Sequence, residues 1–358
     1  MIGKRRNIIK SVIDLLNPYA WVTGARNLAF DKGLLDTYSP EIPTICIGNL
    51  TVGGTGKTPH TEYLVRLLKE RYRIAVLSRG YGRRSKGYIL ANELSRMEDI
   101  GDEPFQINKK FTGIDVAVCE KRVEGIKRLL TESSRPNVIL LDDAYQHRYV
   151  KAGLNILLID SGRPVWLDCT MPFGRLRERI SGMSRADIII ITKCNGMTPG
   201  HMEEYRQYLK TKSKAPVFFS KMRYGNIYNV FDRRVSVPTI GCGTEILLVT
   251  GIAKPEPLKK ELEKRGAAVT MMRYADHHNF SHGDIEDIAA GIAMLKSTSR
   301  LIITTEKDAT RLLLRTDIPE TVRRSTYALP IEVEFLDNGK EMFNQIIENY
   351  VTEDSRNG

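Results

Sequence analysis

An α/β fold, with a parallel sheet covered by helices and a second, smaller α/β unit after it, is what this sequence predicts. Three observations carry that reading. From Thr44 onward, short β-rich apolar runs alternate with helical segments; the first run ends in a glycine-rich turn that opens a helix; and the alternation breaks once, near residue 221, before resuming. Strands buried on both faces read as near-continuous apolar runs, because helices cover both sides of a parallel sheet.

The chain has 358 residues, which suits two units of about 100–200 residues each. Strands are predicted at Thr44–Ile47, Ile74–Ser78, Val116–Cys119, Val138–Asp142, Asn155–Asp160, Asp187–Lys193 and Val217–Ser220, with helices near Lys57–Arg71, Glu103–Lys110, Lys121–Thr131 and His201–Lys212. Lys221–Val237 changes to alternating residues around Gly225–Asn226, the signature of a two-stranded hairpin or linker. Beyond it, strands at Ile246–Thr250, Ala268–Arg273, Leu301–Thr305 and Tyr327–Leu329 alternate with helices near Glu256–Arg265, Gly283–Leu295 and Lys340–Tyr350. The expected division is therefore a helical segment over 1–35, a core over 36–220, a two-stranded linker over 221–240 and a smaller α/β unit over 241–358, with a frayed tail from Thr352. No internal repeat marks a solenoid.

A net charge of +11 calls for an anionic partner: nucleic acid, an acidic membrane or a phosphorylated substrate. Nucleic acid is not expected, because no run of interleaved aromatic and basic residues is present, and no obligate protein partner is evident. The five cysteines, Cys46, Cys119, Cys169, Cys194 and Cys242, are scattered with no CxxC pair and read as reduced core thiols in a cytosolic compartment. The early apolar stretch carries charges and no small-residue cleavage site, so it is not read as a secretory signal. No apolar run approaches the ~20 residues of a transmembrane helix.

Within Lys4–Leu16, Ile8, Ile9, Val12, Ile13 and Leu16 recur at helical spacing beside Lys4, Arg5, Arg6 and Lys10. This predicts a basic amphipathic helix. Pro18 ends or kinks it, Tyr19 and Trp21 supply rings of the kind enriched at lipid headgroups, and a second helical stretch reaches about Leu35. Each basic residue near an anionic leaflet contributes roughly 1 kcal/mol, so the segment is expected to rest on an anionic membrane surface; packing against its own domain is the alternative.

The run from Gly48 to Thr58 follows a predicted strand and opens a predicted helix, the setting a P-loop needs. Here Thr51, Gly53, Gly54, Thr55, Gly56, Lys57 and Thr58 are the candidate nucleotide-binding residues. Backbone amides turn toward phosphate oxygens, Lys57 reaches the β- and γ-phosphates, and Thr58 ligates Mg²⁺. Thr51 stands where the first glycine of such a loop is usual. The strand Val138–Asp142 ends in Asp142-Asp143, the acidic element that holds or orients Mg²⁺, and the sequence leaves open which of the two is the direct ligand. A guanine-specific protein is the rival, but Thr192-Lys193-Cys194-Asn195 lacks the aspartate that would pair with the guanine edge, so ATP is favoured.

These residues, with Arg26-Asn27, Ser78-Arg79-Gly80-Tyr81-Gly82, Gly101-Asp102-Glu103-Pro104, Ala144-Tyr145-Gln146-His147, Leu176-Arg177-Glu178, Asp276-His277-His278 and Thr305-Glu306-Lys307-Asp308, resemble the tetraacyldisaccharide 4'-kinase family, in which a threonine at the position of Thr51 is usual. The resemblance implies a P-loop kinase that moves the γ-phosphoryl group of ATP to the 4'-hydroxyl of a lipid A precursor disaccharide 1-phosphate, at the cytoplasmic face of the bacterial inner membrane. It implies Asp102 as catalytic base and His277 as the group that orients it. It adds Glu178 to Thr58 and Asp142 as a magnesium neighbour. Asn49, Glu103, Asp143, Gln146 and His147 would shape the same pocket, and Arg79, Arg122 and Arg177 would meet phosphate oxygens of ATP or substrate. An N-cap role for Asp102 is compatible with its position before Glu103-Pro104. Two departures from the family pattern are Ala144-Tyr145 in place of Gly-Phe, and Arg179 where proline is common after the glutamate. The alternative from another class is an NTPase switch or metallochaperone acting on a protein partner.

Overall fold

The computed structural model describes residues 16–276 and 278–356. The helix expected over Lys4–Leu16 falls, but for Leu16, outside the described residues, as does His277. In chain order the elements are α1 (Pro18–Asp31), β1 (Thr44–Asn49), α2 (Lys57–Leu68), β2 (Ile74–Ser78), β3 (Ile89–Leu90), α3 (Met97–Ile100), α4 (Asp102–Lys110), β4 (Asp115–Val118), α5 (Arg122–Leu129), β5 (Val138–Asp142), β6 (Leu154–Asp160), β7 (Ile188–Thr192), α6 (Pro199–Lys210) and β8 (Val217–Tyr224). There follow β9 (Tyr228–Asn229), β10 (Thr244–Thr250), α7 (Glu256–Lys264), β11 (Ala268–Arg273), α8 (His282–Met294), β12 (Ser299–Thr305), α9 (Glu306–Leu312), α10 (Glu320–Ser325), β13 (Thr326–Leu329), β14 (Ile331–Phe335) and α11 (Gly339–Arg356).

The chain forms two units, one of Met1–Met222 with Val333–Gly358 and the other of Arg223–Glu332. In the first, nine strands lie in the order β14-β8-β7-β6-β1-β5-β2-β4-β3. β1 runs parallel to both β5 and β6, and the chain of parallel pairs extends from β8 to β4. All residues of β1, β2, β5 and β7 are buried, which is why they read as unbroken apolar runs. In the second unit five strands take the order β11-β10-β12-β13-β9, parallel except for the short β9.

Four expectations are corrected. The hairpin at Lys221–Val237 does not form, because β8 belongs to the nine-stranded sheet while β9 pairs with β13 in the other. The unit expected over 241–358 ends at Glu332. Phe335, Phe343, Ile347 and Val351 are buried in the core of the first unit, where the Phe335 and Phe343 rings stack at 4.5 Å. Tyr350 occupies the space that Gly153 leaves open, its hydroxyl 2.2 Å from where a β-carbon would stand. Third, α11 continues through Thr352 to Arg356, Tyr72 and Thr352 bonding hydroxyl to hydroxyl at 3.2 Å, so the tail does not fray at Thr352. Of the cysteines, Cys46, Cys119 and Cys194 are buried but Cys242 is exposed, contrary to a core role for all five.

Both tryptophans, Trp21 and Trp166, lie in the first unit. Phe343→Ala therefore lowers the stability reported by tryptophan fluorescence in a denaturant titration, by about 3–5 kcal/mol. An unshifted tryptophan transition would mean that α11 belongs elsewhere.

Candidate active site

β1 sits mid-sheet, and its carboxyl end lies beside that of β5, where open parallel sheets present ligands. Gly48 permits this closeness, since a β-carbon there would lie 2.6 Å from that of Tyr145. Gly53 and Gly56 hold φ of 106° and 90°, turns a side chain would strain. Gly56 is also the N-cap residue of α2, so no side chain caps that helix and its first turn is left for an anion. The loop is braced from the sheet. Asn49 Nδ2 donates to Thr55 Oγ1 at 2.6 Å, Thr192 Oγ1 donates to the Thr55 carbonyl at 2.9 Å, and Lys193 donates to the Gly54 carbonyl while pairing with Asp160 at 2.7 Å.

Charge gathers at this turn. Lys57 Nζ lies 3.6 Å from Asp143 Oδ1, and Arg177 Nη1 donates to the same oxygen at 2.7 Å. Burial acts to raise the Asp143 carboxyl, but Lys57 and Arg177 outweigh it and hold it below the usual range. Asp142 is buried and accepts a hydrogen bond from Thr61 Oγ1 at 3.1 Å. Burial first, then the negative charges of Glu103 and Asp143, push it up to about 7, against the pull of Lys57. Among the described residues no three His, Cys, Asp or Glu side chains form a metal cage. Thr58 and Asp142 still suit magnesium, which takes one or two protein oxygens and fills its shell with phosphate and water. A buried carboxyl raised by like charge is the environment a divalent cation relieves.

Glu178, expected beside magnesium, is held by three side chains of the protein itself. Its Oε1 accepts from Arg185 at 2.8 Å and Gln146 at 3.0 Å, its Oε2 from Asn27 at 2.6 Å. With its charge met by Arg185 and three donors engaged, Glu178 is a structural hub. Gln146 Nε2 also donates to the Asn49 carbonyl at 2.8 Å, tying this hub to the end of β1.

The arginines divide. Arg177 holds Asp143. Arg122 is buried, donates to the Cys119 carbonyl and leaves Nε unpartnered, and burial lowers it to about 10. Arg79 is exposed. His147 is lowered to about 4, by burial and then by Arg122, Arg26 and Arg79, so its imidazole stays neutral among three guanidinium groups. Asp102 is the first residue of α4, and the N-cap position belongs to Gly101, which removes the N-cap reading. A β-carbon at Gly101 would lie 2.8 Å from the Tyr81 carbonyl, and one at Gly80 2.8 Å from that of Ile100, so the loop after β2 packs backbone to backbone on the start of α4. Tyr145 meets the departure from Gly-Phe with a buried ring whose hydroxyl donates to the Gly182 carbonyl at 2.8 Å.

Thr61, Asn27, Arg185, Thr192 and Lys193 escaped the sequence reading as site residues. Thr61 had a signal, one turn beyond Thr58 on the same helix; Arg185 had none, because its partner is set by the fold.

The family model "Tetraacyldisaccharide-1-P 4'-kinase" matches residues 13–352. A tetraacyldisaccharide 4'-kinase of Bacteroides fragilis is 48% identical over 96% of this chain and 94% of its own length. That of Phocaeicola vulgatus is 43% identical over 98% of each. The crystal structure of LpxK from Aquifex aeolicus in complex with ATP superposes with a TM-score of 0.74 at 27% identity, covering 96% of this chain and 99% of that one. On a match that spans both units and the whole phosphate-binding turn, this chain belongs to the tetraacyldisaccharide-1-P 4'-kinase family.

Proposed function

We propose that this protein transfers the γ-phosphoryl group of ATP to the 4'-hydroxyl of a tetraacyldisaccharide 1-phosphate, the kinase step of lipid A synthesis, on the cytoplasmic face of the bacterial inner membrane. One observation carries the reading: a P-loop between the central strand and α2, with Lys57, Asp142 and Asp143 at its mouth, in a chain that matches this family over nearly its full length. Family membership does not favour an NTPase switch or metallochaperone.

The amides of the turn and Lys57 bind the β- and γ-phosphates, placing the terminal phosphorus for in-line attack. Asp143, held by Lys57 and Arg177, keeps the lysine aimed. Asp102, at the start of α4 next to Glu103, whose charge acts on Asp142, accepts the proton of the attacking hydroxyl. Arg79, which is exposed, and Arg122, whose Nε has no hydrogen-bond partner, suit a phosphorylated acceptor. Magnesium, held by Thr58 and Asp142, would supply charge neutralisation on the phosphates.

Support for membrane docking comes from α1. Trp21, Val22 and Leu28 are exposed on one side of it, and Leu16 and Leu34 are exposed just beyond its ends, an apolar edge of the kind that enters a lipid interface. Among the described residues no helix is long and apolar enough to cross a membrane.

In detergent micelles, labelled phosphate passes from ATP to tetraacyldisaccharide 1-phosphate. ATP turnover indifferent to that lipid would end the kinase reading. Asp102→Ala cuts kcat by at least about 10²-fold with KM for ATP nearly unchanged, whereas Lys57→Ala damages both; the reverse pattern would exchange the roles.

With Asp142 pushed up to about 7 by burial and by the charges of Glu103 and Asp143, its proton is retained in the folded protein above the ordinary carboxylate range, and a bound cation must displace it. Magnesium-ATP binding at pH 6.5 therefore releases protons and tightens as pH rises through 7. Calorimetry in buffers of different ionisation enthalpy measures this, and Asp142→Asn, which has no proton to lose, should show less release; equal release would place the proton elsewhere.

Removing residues 1–15, with Trp21→Ser and Val22→Ser, reduces sedimentation with anionic vesicles at unchanged melting temperature. Asn17 is kept because its side chain caps α1 and donates to Thr170 Oγ1 and the Met171 carbonyl, both at 2.8 Å. Undiminished sedimentation would refute the docking surface.

A further inference from the structure

Glu62 is a buried carboxylate that phosphoryl transfer, as described above, leaves unused. It lies on α2 beside Thr61, one turn beyond Thr58, and is 1% exposed. Its Oε1 accepts from Gln106 Nε2 at 2.9 Å; its Oε2 accepts from Lys110 Nζ at 2.5 Å and Arg66 Nη2 at 3.2 Å. Arg66 is on the same helix. Gln106 and Lys110 are on α4, the helix whose first residue is Asp102, and 102, 106 and 110 follow one another at four-residue steps along it.

Apolar contact already joins these helices to one core, in which Leu64, Val65 and Leu68 of α2 gather with Ile107 of α4. Such contact is non-directional, so it permits small slides and rotations. A buried ion pair adds little net stability over an apolar replacement of the same volume, and its best-attested use is to set register. Here the carboxylate receives two donors from α4, one turn apart, on its two oxygens. That geometry sets both the height and the rotation of α4. The neighbouring Thr61 meanwhile donates to Asp142, so adjacent residues of the P-loop helix align the acidic end of β5 and the helix that carries Asp102.

We infer that Glu62 is a positioning residue, holding α4 in the register that presents Asp102 to the acceptor hydroxyl at the terminal phosphate. This rests on Asp102 being the proton acceptor. A displacement near 1 Å at a reacting group costs up to about 100-fold in rate, which sets the expected effect.

The test uses the full chain with ATP and tetraacyldisaccharide 1-phosphate. Glu62→Gln is expected to lower kcat about 10- to 100-fold while KM for ATP stays within about twofold. In an Asp102→Ala background it is expected to slow the residual transfer no further, because the group it positions is gone. Should Glu62→Gln fail to fold, Lys110→Met carries the same two measurements, since it removes one donor and keeps Glu62 paired with Arg66 and Gln106. Wild-type kcat in the variant, a rise in KM for ATP that accounts for the whole loss, or an equal slowing in the presence and absence of Asp102 would each overturn the inference. An Asp102→Ala protein with parental kcat would instead remove the proton-acceptor reading on which it stands.

Discussion

Two carboxylates and a lysine converge at the carboxyl ends of β1 and β5, and most of the first unit is arranged to keep them there. Asp142 and Asp143 are adjacent in sequence, yet their environments drive them apart. Asp143 takes a left-handed φ of 48°, conformationally costly but tolerated by aspartate, and that turn delivers it to Lys57 and Arg177 while Asp142 stays buried. The result is one carboxyl held down by Lys57 and Arg177 and one raised by burial and like charge, a split of the kind found where two adjacent carboxyls serve different roles. A polyphosphate alone would worsen the repulsion at Asp142. Polyphosphate and divalent cation together relieve it, which is why the proposed nucleotide and metal belong to one binding event.

The walls of this site come from distant stretches of chain. α1 is part of them: Tyr19 donates to the Arg177 carbonyl at 2.8 Å, Arg26 to the Gln146 carbonyl at 3.1 Å and Asn27 to Glu178. Ala20 and Phe30 are buried on that side while Trp21, Val22 and Leu28 face outward. The two readings of the N-terminal segment, packing on its own domain and resting on lipid, are thus not exclusive for α1. One face of the helix is packed and the other is exposed, and whatever engages its outer face is one helix width, about 10 Å, from the residues that hold Arg177.

Much of this could be read before any coordinates. β2 and β5 fall where their apolar runs predict, and the P-loop was legible because glycine spacing, lysine and helix onset state one mechanism together. What stayed hidden depends on pairing between distant segments. Glu332 could not be recognised as the end of the second unit, because β14 and α11 read locally like any strand and helix; only the burial of Phe343 and Ile347 in the first core decides their allegiance. The partners of Glu178 stayed hidden for a related reason. A glutamate after Leu-Arg declares an oxygen donor, but not that Arg185, Gln146 and Asn27 converge on it. Glu62 was passed over because a charged residue in an amphipathic helix is expected to face water.

Thr51 resolves the one irregularity in the phosphate-binding turn. A first glycine is used in such loops where the backbone must turn through a left-handed conformation, and a β-branched residue there would be strained. Thr51 is not in that region: it forms an antiparallel bridge to Leu176. Val52 N–H donates to the Arg175 carbonyl at 2.8 Å, and Arg177 N–H to the Leu50 carbonyl at 2.7 Å. Extended pairing is what a β-branched residue favours. The left-handed turns are deferred to Gly53 and Gly56, nearer the phosphates. The same short ladder carries Arg177 to Asp143, so the substitution that blurs the motif as text couples the rim of the turn to the charge cluster it serves. A glycine at 51 would loosen that ladder without adding an amide to the cradle, since the N–H is present with either residue.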